Sequence, residues 1–180
     1  GEIERAIEAA RAGGCEDILI LKCTSTYPAT PENTNVLTIP HMRELFRCEI
    51  GLSDHTMGCG VSVAATALGA VLIEKHFTLT RADGGVDSAF SLEPAEMRQL
   101  VEETTRAWQS LGKVTYGPTA AEKSSLQFRR SLYFVATGKA GDLITADMVR
   151  SVRPGFGLPP KMLDQVVGKR LSCDVHYGMP

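Results

Sequence analysis

Two histidines, His55 and His76, each close a short apolar run in the same way. Ile50-Gly51-Leu52-Ser53-Asp54-His55-Thr56 and Leu72-Ile73-Glu74-Lys75-His76-Phe77-Thr78 both pass abruptly from apolar to polar residues. Such a run reads as a buried parallel strand that delivers a side chain to the open end of a sheet. Neutral imidazoles delivered side by side hold Mn, Fe, Co or Zn, with carboxylates or water completing the sphere. Asp54 and Glu74 are the nearest carboxylates, either as ligands or as groups that orient the rings. The competing reading is a pair of ordinary strand-end histidines hydrogen-bonded to their neighbours. Spacing leaves both open.

Other reactive side chains gather near a third run, Ile18-Leu19-Ile20-Leu21, which ends in Lys22-Cys23-Thr24-Ser25-Thr26-Tyr27-Pro28. Lys22 would bind an anion there or simply close the strand in water. Thr24, Ser25 and Ser53 have hydroxyls suited to a phosphate. Cys23 reads as a buried spectator rather than a nucleophile, because no histidine adjoins it in sequence. Residues two apart on a strand share a face, so Lys22 with Thr24, Ser53 with His55, and Glu74 with His76 are expected to point into one cavity. His41 and His176 sit in loop contexts and read as surface residues.

The elements that must position these groups alternate. Glu2 to Ala12 carries Ile3, Ile7 and Ala10 on one helical face and stops at Gly13-Gly14. A short helix around Met42 to Phe46 precedes the strand at Ile50. Val61 to Leu68 forms a small-residue helix that leads to a strand at Val71. Ser91 and Pro94 open a long helix whose stripe Met97, Leu100, Val101, Thr104, Trp108 and Leu111 is expected to be buried. Strand–helix alternation without hairpin signals implies right-handed crossovers and a parallel sheet, with the site at the strand ends.

From Gly112 the pattern changes. Residues 1–112 carry three strand–helix units, 113–127 read as a polar linker, and 128–180 as a small loop-rich domain. The last of these has strands at Ser131 to Ala136 and Leu143-Ile144, a capped helical turn at Thr145 to Met148, and a brief helix at Leu163 to Val167. Arg153-Pro154-Gly155-Phe156-Gly157 reads as a rigid loop.

The formal charge of −2 gives no basic field for a nucleic acid. Apolar stretches fall short of the roughly 18–20 residues a membrane span needs, so no membrane partner is expected. Five scattered cysteines without CxxC spacing point to reduced thiols and a cytoplasmic protein. The chain begins without Met inside a helical pattern, as a piece of a longer protein would.

The runs Leu21 to Pro28, Gly51 to Thr56 and Ile73 to Thr78 resemble the sialic acid synthase family, which includes N-acetylneuraminate, legionaminate and pseudaminate synthases. Gly138 to Asp142 and Ser151 to Gly157 are similar to the family's antifreeze-like (SAF) domain. Gly84-Gly85-Val86-Asp87-Ser88-Ala89-Phe90-Ser91-Leu92 looks most like the pseudaminate branch. The likeness covers nearly all of the chain.

The resemblance implies an α/β fold: the C-terminal part of a (β/α)8 TIM barrel followed by a small SAF (β-clip) domain. It implies that phosphoenolpyruvate condenses with an open-chain 2-acetamido or 2,4-diacetamido sugar, releasing phosphate by C–O cleavage. His55 and His76 would be catalytic ligands of a divalent metal, Mn or Mg. Ser25 and Ser53 would contact phosphoenolpyruvate, and Tyr27 and Asp87 the sugar hydroxyls. Arg153 would reach the partner's active site in a domain-swapped homodimer. Only the last three of eight barrel strands are expected here, without the family's catalytic glutamate and phosphate-binding lysine. The 180-residue chain alone is therefore expected neither to turn over nor to close a barrel. Rival classes are another metal-dependent barrel enzyme, such as an aldolase or hydrolase, and a non-catalytic sugar-binding or antifreeze-like module.

Overall fold

The structure, a computed structural model, describes residues 1–180. The chain divides into two compact units, Gly1–Lys113 and Val114–Pro180. No helix is long and apolar enough to cross a membrane.

The first unit runs α1 (Glu2–Ala12), β1 (Leu19–Cys23), α2 (Thr38–Phe46), β2 (Glu49–Asp54), α3 (Gly60–Ala67), β3 (Ile73–Lys75) and α4 (Pro94–Ser110). The strands form one parallel sheet in the order β1-β2-β3. Each crossover passes through a helix, as parallel neighbours require. Ile50 and Leu52 on β2 are fully buried and pack with Ile39, Met42, Ala65 and Ala70. Burial of a side chain of that size stabilises by about 1.5–3 kcal/mol, so this layer between sheet and helices anchors the unit. The alternate β2 residues Gly51 and Ser53 face the other way. At Gly51 only hydrogen fits, because a Cβ would meet Leu21 Cδ2 at 2.5 Å and the Leu72 carbonyl oxygen at 2.7 Å.

Two expectations change here. The helix α4 is capped by Glu93 with Glu96 in a reciprocal box, while Ser91 Oγ donates to the Asp87 carbonyl at 2.8 Å instead. Of the α4 stripe expected to be buried, only Leu100 is; Val101 and Trp108 stay 58% and 67% exposed. The stripe and Val71, Leu72 and Ile73 wall an open groove of about 940 Å³. The physical reason is that the sheet ends at β3. Amphipathic spacing marks a side that needs cover and does not supply the cover.

In the second unit, β4 (Ser131–Phe134) pairs antiparallel with β5 (Val149–Val152). Single bridges join Gly138 to Val175 and Leu143 to Arg170. Leu132, Ile144, Val149, Leu171 and Val175 form its core, flanked by the short helix α5 (Leu163–Val166). Leu143-Ile144 is thus a bridge rather than a strand. Thr145 to Met148 is a turn closed by Met148 N–H on the Thr145 carbonyl at 3.1 Å, not a helical turn.

Candidate active site

Parallel register brings the two histidines together. Ser53 lies opposite Glu74 and Asp54 opposite Lys75, so His55 and His76 follow in the next row, past the ends of β2 and β3. Their ring centroids are 5.1 Å apart with planes at 67°. His55 is 7% exposed, whereas the His76 side chain is 30% exposed.

The loops that follow β1 and β3 return to hold both residues. Ala29 N–H donates to the His55 carbonyl and Leu92 N–H to the His76 carbonyl, each at 2.9 Å. His55 Nδ1 lies 2.9 Å from the Thr24 carbonyl oxygen. A carbonyl can only accept, so Nδ1 carries the proton and the lone pair sits on Nε2. His76 Nδ1 faces the Asp87 carboxylate at 3.5 Å. Both rings thus have a second-side partner of the kind that orients metal-binding imidazoles. Tyr27 closes over the pair, 4.4 Å from His55 and 5.9 Å from His76 between ring centroids. Phe90, 8% exposed, packs 5.1 Å from His76.

Ser53 Oγ donates to Glu74 Oε1 at 2.7 Å on the face that carries the histidines. Ser25 is exposed, with its Oγ 3.7 Å from Cys23 Sγ. Cys23 itself is exposed, and its sulfur lies 3.9 Å from His55 Nδ1. It is therefore neither buried nor remote from a histidine, because register places the end of β1 beside the end of β2. Since Nδ1 already carries a proton, this contact is not a thiol–base pair.

Lys22 and Thr24 leave the cavity assigned to them. Lys22 is opposite Leu52 in register, on the face that meets the helices, and donates to Thr24 Oγ1 at 2.6 Å. Partial burial lowers its pKa, against an opposing pull from Cys23. Asp54 also faces away from the histidines, which removes it from the candidate ligands. It pairs with Lys75 at 3.0 Å, and both side chains are almost wholly buried. Its Oδ1 accepts from Thr56 N–H at 2.9 Å and Thr56 Oγ1 at 2.7 Å, and its Oδ2 from Ser62 Oγ at 2.6 Å. Burial pushes the Asp54 carboxyl up, but the bonds from Ser62, Thr56 and Lys75 outweigh it and leave the pKa below the usual value. At 3 Å the pair attracts by about 5 kcal/mol with an effective dielectric of about 20. Desolvation costs several kcal/mol per ion, so the net contribution to stability is small. His41 is exposed on α2 rather than in a loop, and His176 is exposed in the second unit.

The side chains that could hold a metal are thus two imidazoles with free Nε2 atoms. No cluster of three His, Cys, Asp or Glu residues forms. The pair fits two corners of a coordination sphere, with the others open to water or substrate oxygens. Arg153 belongs to the second unit, exposed just after β5.

A family model described as the NeuB family matches residues 1–116. The chain belongs to the NeuB family. A second model, the SAF domain, matches residues 129–180. The chain is 40% identical to the pseudaminic acid synthase of Campylobacter jejuni over 162 residues, covering 90% of this chain and 47% of that one. It is 35% identical to the pseudaminic acid synthase of Helicobacter pylori over 181 residues, covering 99% and 53%. Against the N,N'-diacetyllegionaminic acid synthase of Campylobacter jejuni the identity is 32%, covering 94% and 52%. Among solved structures, it is similar to N-acetylneuraminic acid synthetase from Leptospira borgpetersenii, with TM-score 0.62 and 34% identity. That match covers 69% of this chain and 44% of the other. The chain spans about half the length of the curated relatives it matches. Its first unit is accordingly part of a (β/α)8 barrel, and an SAF domain follows.

Sequence reasoning missed three participants. The Thr24 carbonyl is a backbone group with no side-chain signature. Phe90 is an apolar residue inside a glycine-rich loop. Asp54 reads in sequence as a metal ligand or a ring-orienting carboxylate, and its pairing with Lys75 has no signal beyond two charges, each just before a histidine.

Proposed function

We propose that the protein containing this chain condenses phosphoenolpyruvate with an open-chain 2,4-diacetamido sugar to form a nonulosonic acid of the pseudaminate type. Carbon 3 of phosphoenolpyruvate bonds to the aldehyde carbon, water adds at carbon 2, and phosphate leaves with C–O cleavage. The observation that carries this reading is the facing His55–His76 pair, each Nδ1 turned to an oxygen and each Nε2 free. The pseudaminate branch is favoured by 40% identity to one such synthase, against 32% to a legionaminate synthase.

His55 and His76 would hold a divalent ion, Mn or Mg, with imidazole favouring Mn. Such an ion, when bound, supplies Lewis acidity at the sugar aldehyde. Thr24 and Asp87 keep the two rings turned toward it, and Tyr27 forms an aromatic wall against which the sugar is placed. Ser53 and Ser25 are assigned to phosphoenolpyruvate, with Ser53 releasing Glu74 or bridging to it. Arg153 is assigned to a partner subunit's site in a homodimer. A cytoplasmic setting agrees with five free cysteines.

The test is phosphate release by the full-length protein from phosphoenolpyruvate, offered a panel of 2-acetamido and 2,4-diacetamido sugars. Release with a 2,4-diacetamido sugar at the highest kcat/KM is expected. No release with any sugar of the panel would overturn the proposal.

A further inference from the structure

Asp54 and Lys75 take no part in the chemistry proposed above, yet they occupy the ladder row directly beneath the two histidines. As a stabilising device a buried ion pair is poor, because apolar residues of similar volume do as well or better. This pair makes bonds that apolar side chains cannot. Lys75 Nζ donates to the Thr56 carbonyl at 2.6 Å, and Asp54 Oδ1 accepts from Thr56 N–H at 2.9 Å. The residue after His55 is therefore held at both of its backbone polar groups. Ser62 Oγ, on α3, ties Asp54 Oδ2 to the helix layer at 2.6 Å. Lys75 is the last residue of β3 and His76 follows it, so one lysine links the strand end that leads into His76 to the backbone flanking His55.

We propose that Asp54 and Lys75 are positioning residues that fix the separation and orientation of His55 and His76, so that both Nε2 atoms converge on one divalent cation. The proposal rests on the two-histidine reading given under the proposed function. Neither residue touches substrate or ion; each acts through the backbone beside a histidine. A purely structural role would lower the melting temperature and leave cation affinity of the folded protein unchanged.

The experiment is Mn2+ titration of the full-length protein by calorimetry, with melting followed by circular dichroism. Four variants are compared with wild type: Asp54→Asn/Lys75→Met, Lys75→Arg, Ser62→Ala and Thr56→Val. The double variant leaves no unpaired buried charge and is expected to bind Mn2+ about 10–100-fold more weakly. Lys75→Arg, which keeps the charge and a donor, should recover part of that loss. Ser62→Ala and Thr56→Val each remove one bond to Asp54, so a several-fold weakening is expected even if the double variant fails to fold. Wild-type Mn2+ affinity in the folded Ser62→Ala and Thr56→Val proteins would overturn the positioning role and leave the metal reading standing. A wild-type protein that binds no Mn2+ would instead overturn the metal reading, and the positioning role with it.

Discussion

His55 donates its Nδ1 proton to the main-chain carbonyl of Thr24 across 2.9 Å, which commits Nε2 to whatever the site binds. The two ring nitrogens then have separate duties. Replacement of His55 by Gln places an amide near the Nε2 position, whereas Asn reaches only as far as Nδ1. His55→Gln is expected to weaken Mn2+ binding and His55→Asn to abolish it, both read by calorimetry on the full-length protein. The opposite order would assign the cation to Nδ1.

The Asp87 carboxylate stands 3.5 Å from His76 Nδ1, near enough to orient that ring by charge, without the hydrogen bond that holds His55. If it orients the ring, Asp87→Asn should weaken Mn2+ binding by about tenfold and Asp87→Ala by up to about 100-fold. If it serves only the sugar hydroxyls, both variants will raise the sugar KM and leave Mn2+ affinity where it was. Parallel Mn2+ titration and steady-state kinetics separate the two roles.

The Asp54 carboxyl sets a pH dependence with a definite sign. Its folded pKa lies below the unfolded value, since bonds from Ser62, Thr56 and Lys75 outweigh burial. The stability it contributes is therefore complete above the unfolded value of about 3.9 and lost as pH falls through the folded one. Asp54→Asn should flatten the acid limb of a plot of unfolding free energy against pH, measured by urea denaturation. An unchanged acid limb would mean that Asp54 does not carry this linkage.

Gly51 is the position where β2 tolerates no side chain. A methyl group there meets the Leu72 carbonyl, which accepts from Leu52 N–H on β2 at 2.8 Å. Gly51→Ala should destabilise the protein by about 1–3 kcal/mol, read as a lower urea midpoint. A midpoint equal to wild type would show that β2 and β3 can separate freely at this row.

Much of the architecture was legible because its signals are local. The apolar runs beginning at Ile18, Ile50 and Val71 became the three strands, the last starting two residues later at Ile73, and Gly13 and Pro94 marked the end of α1 and the start of α4. Facing histidines were legible too, since both strands end in the same pattern. Parity failed where it was carried across strands. It correctly groups Lys22 with Thr24, but only register shows that Lys22 lies opposite Leu52 on the helix side. The same alternation turns Asp54 away from His55, although in sequence Asp54 is its nearest carboxylate. Trp108 stays exposed because periodicity identifies an apolar face without naming what covers it.

The most direct measurement is the Mn2+ stoichiometry of the full-length protein, wild type against His55→Ala/His76→Ala, by elemental analysis after dialysis. One Mn2+ per subunit in the wild type and none in the correctly folded double variant is the expected result. Equal stoichiometry in the two proteins would contradict the assignment of His55 and His76 as the metal-binding pair.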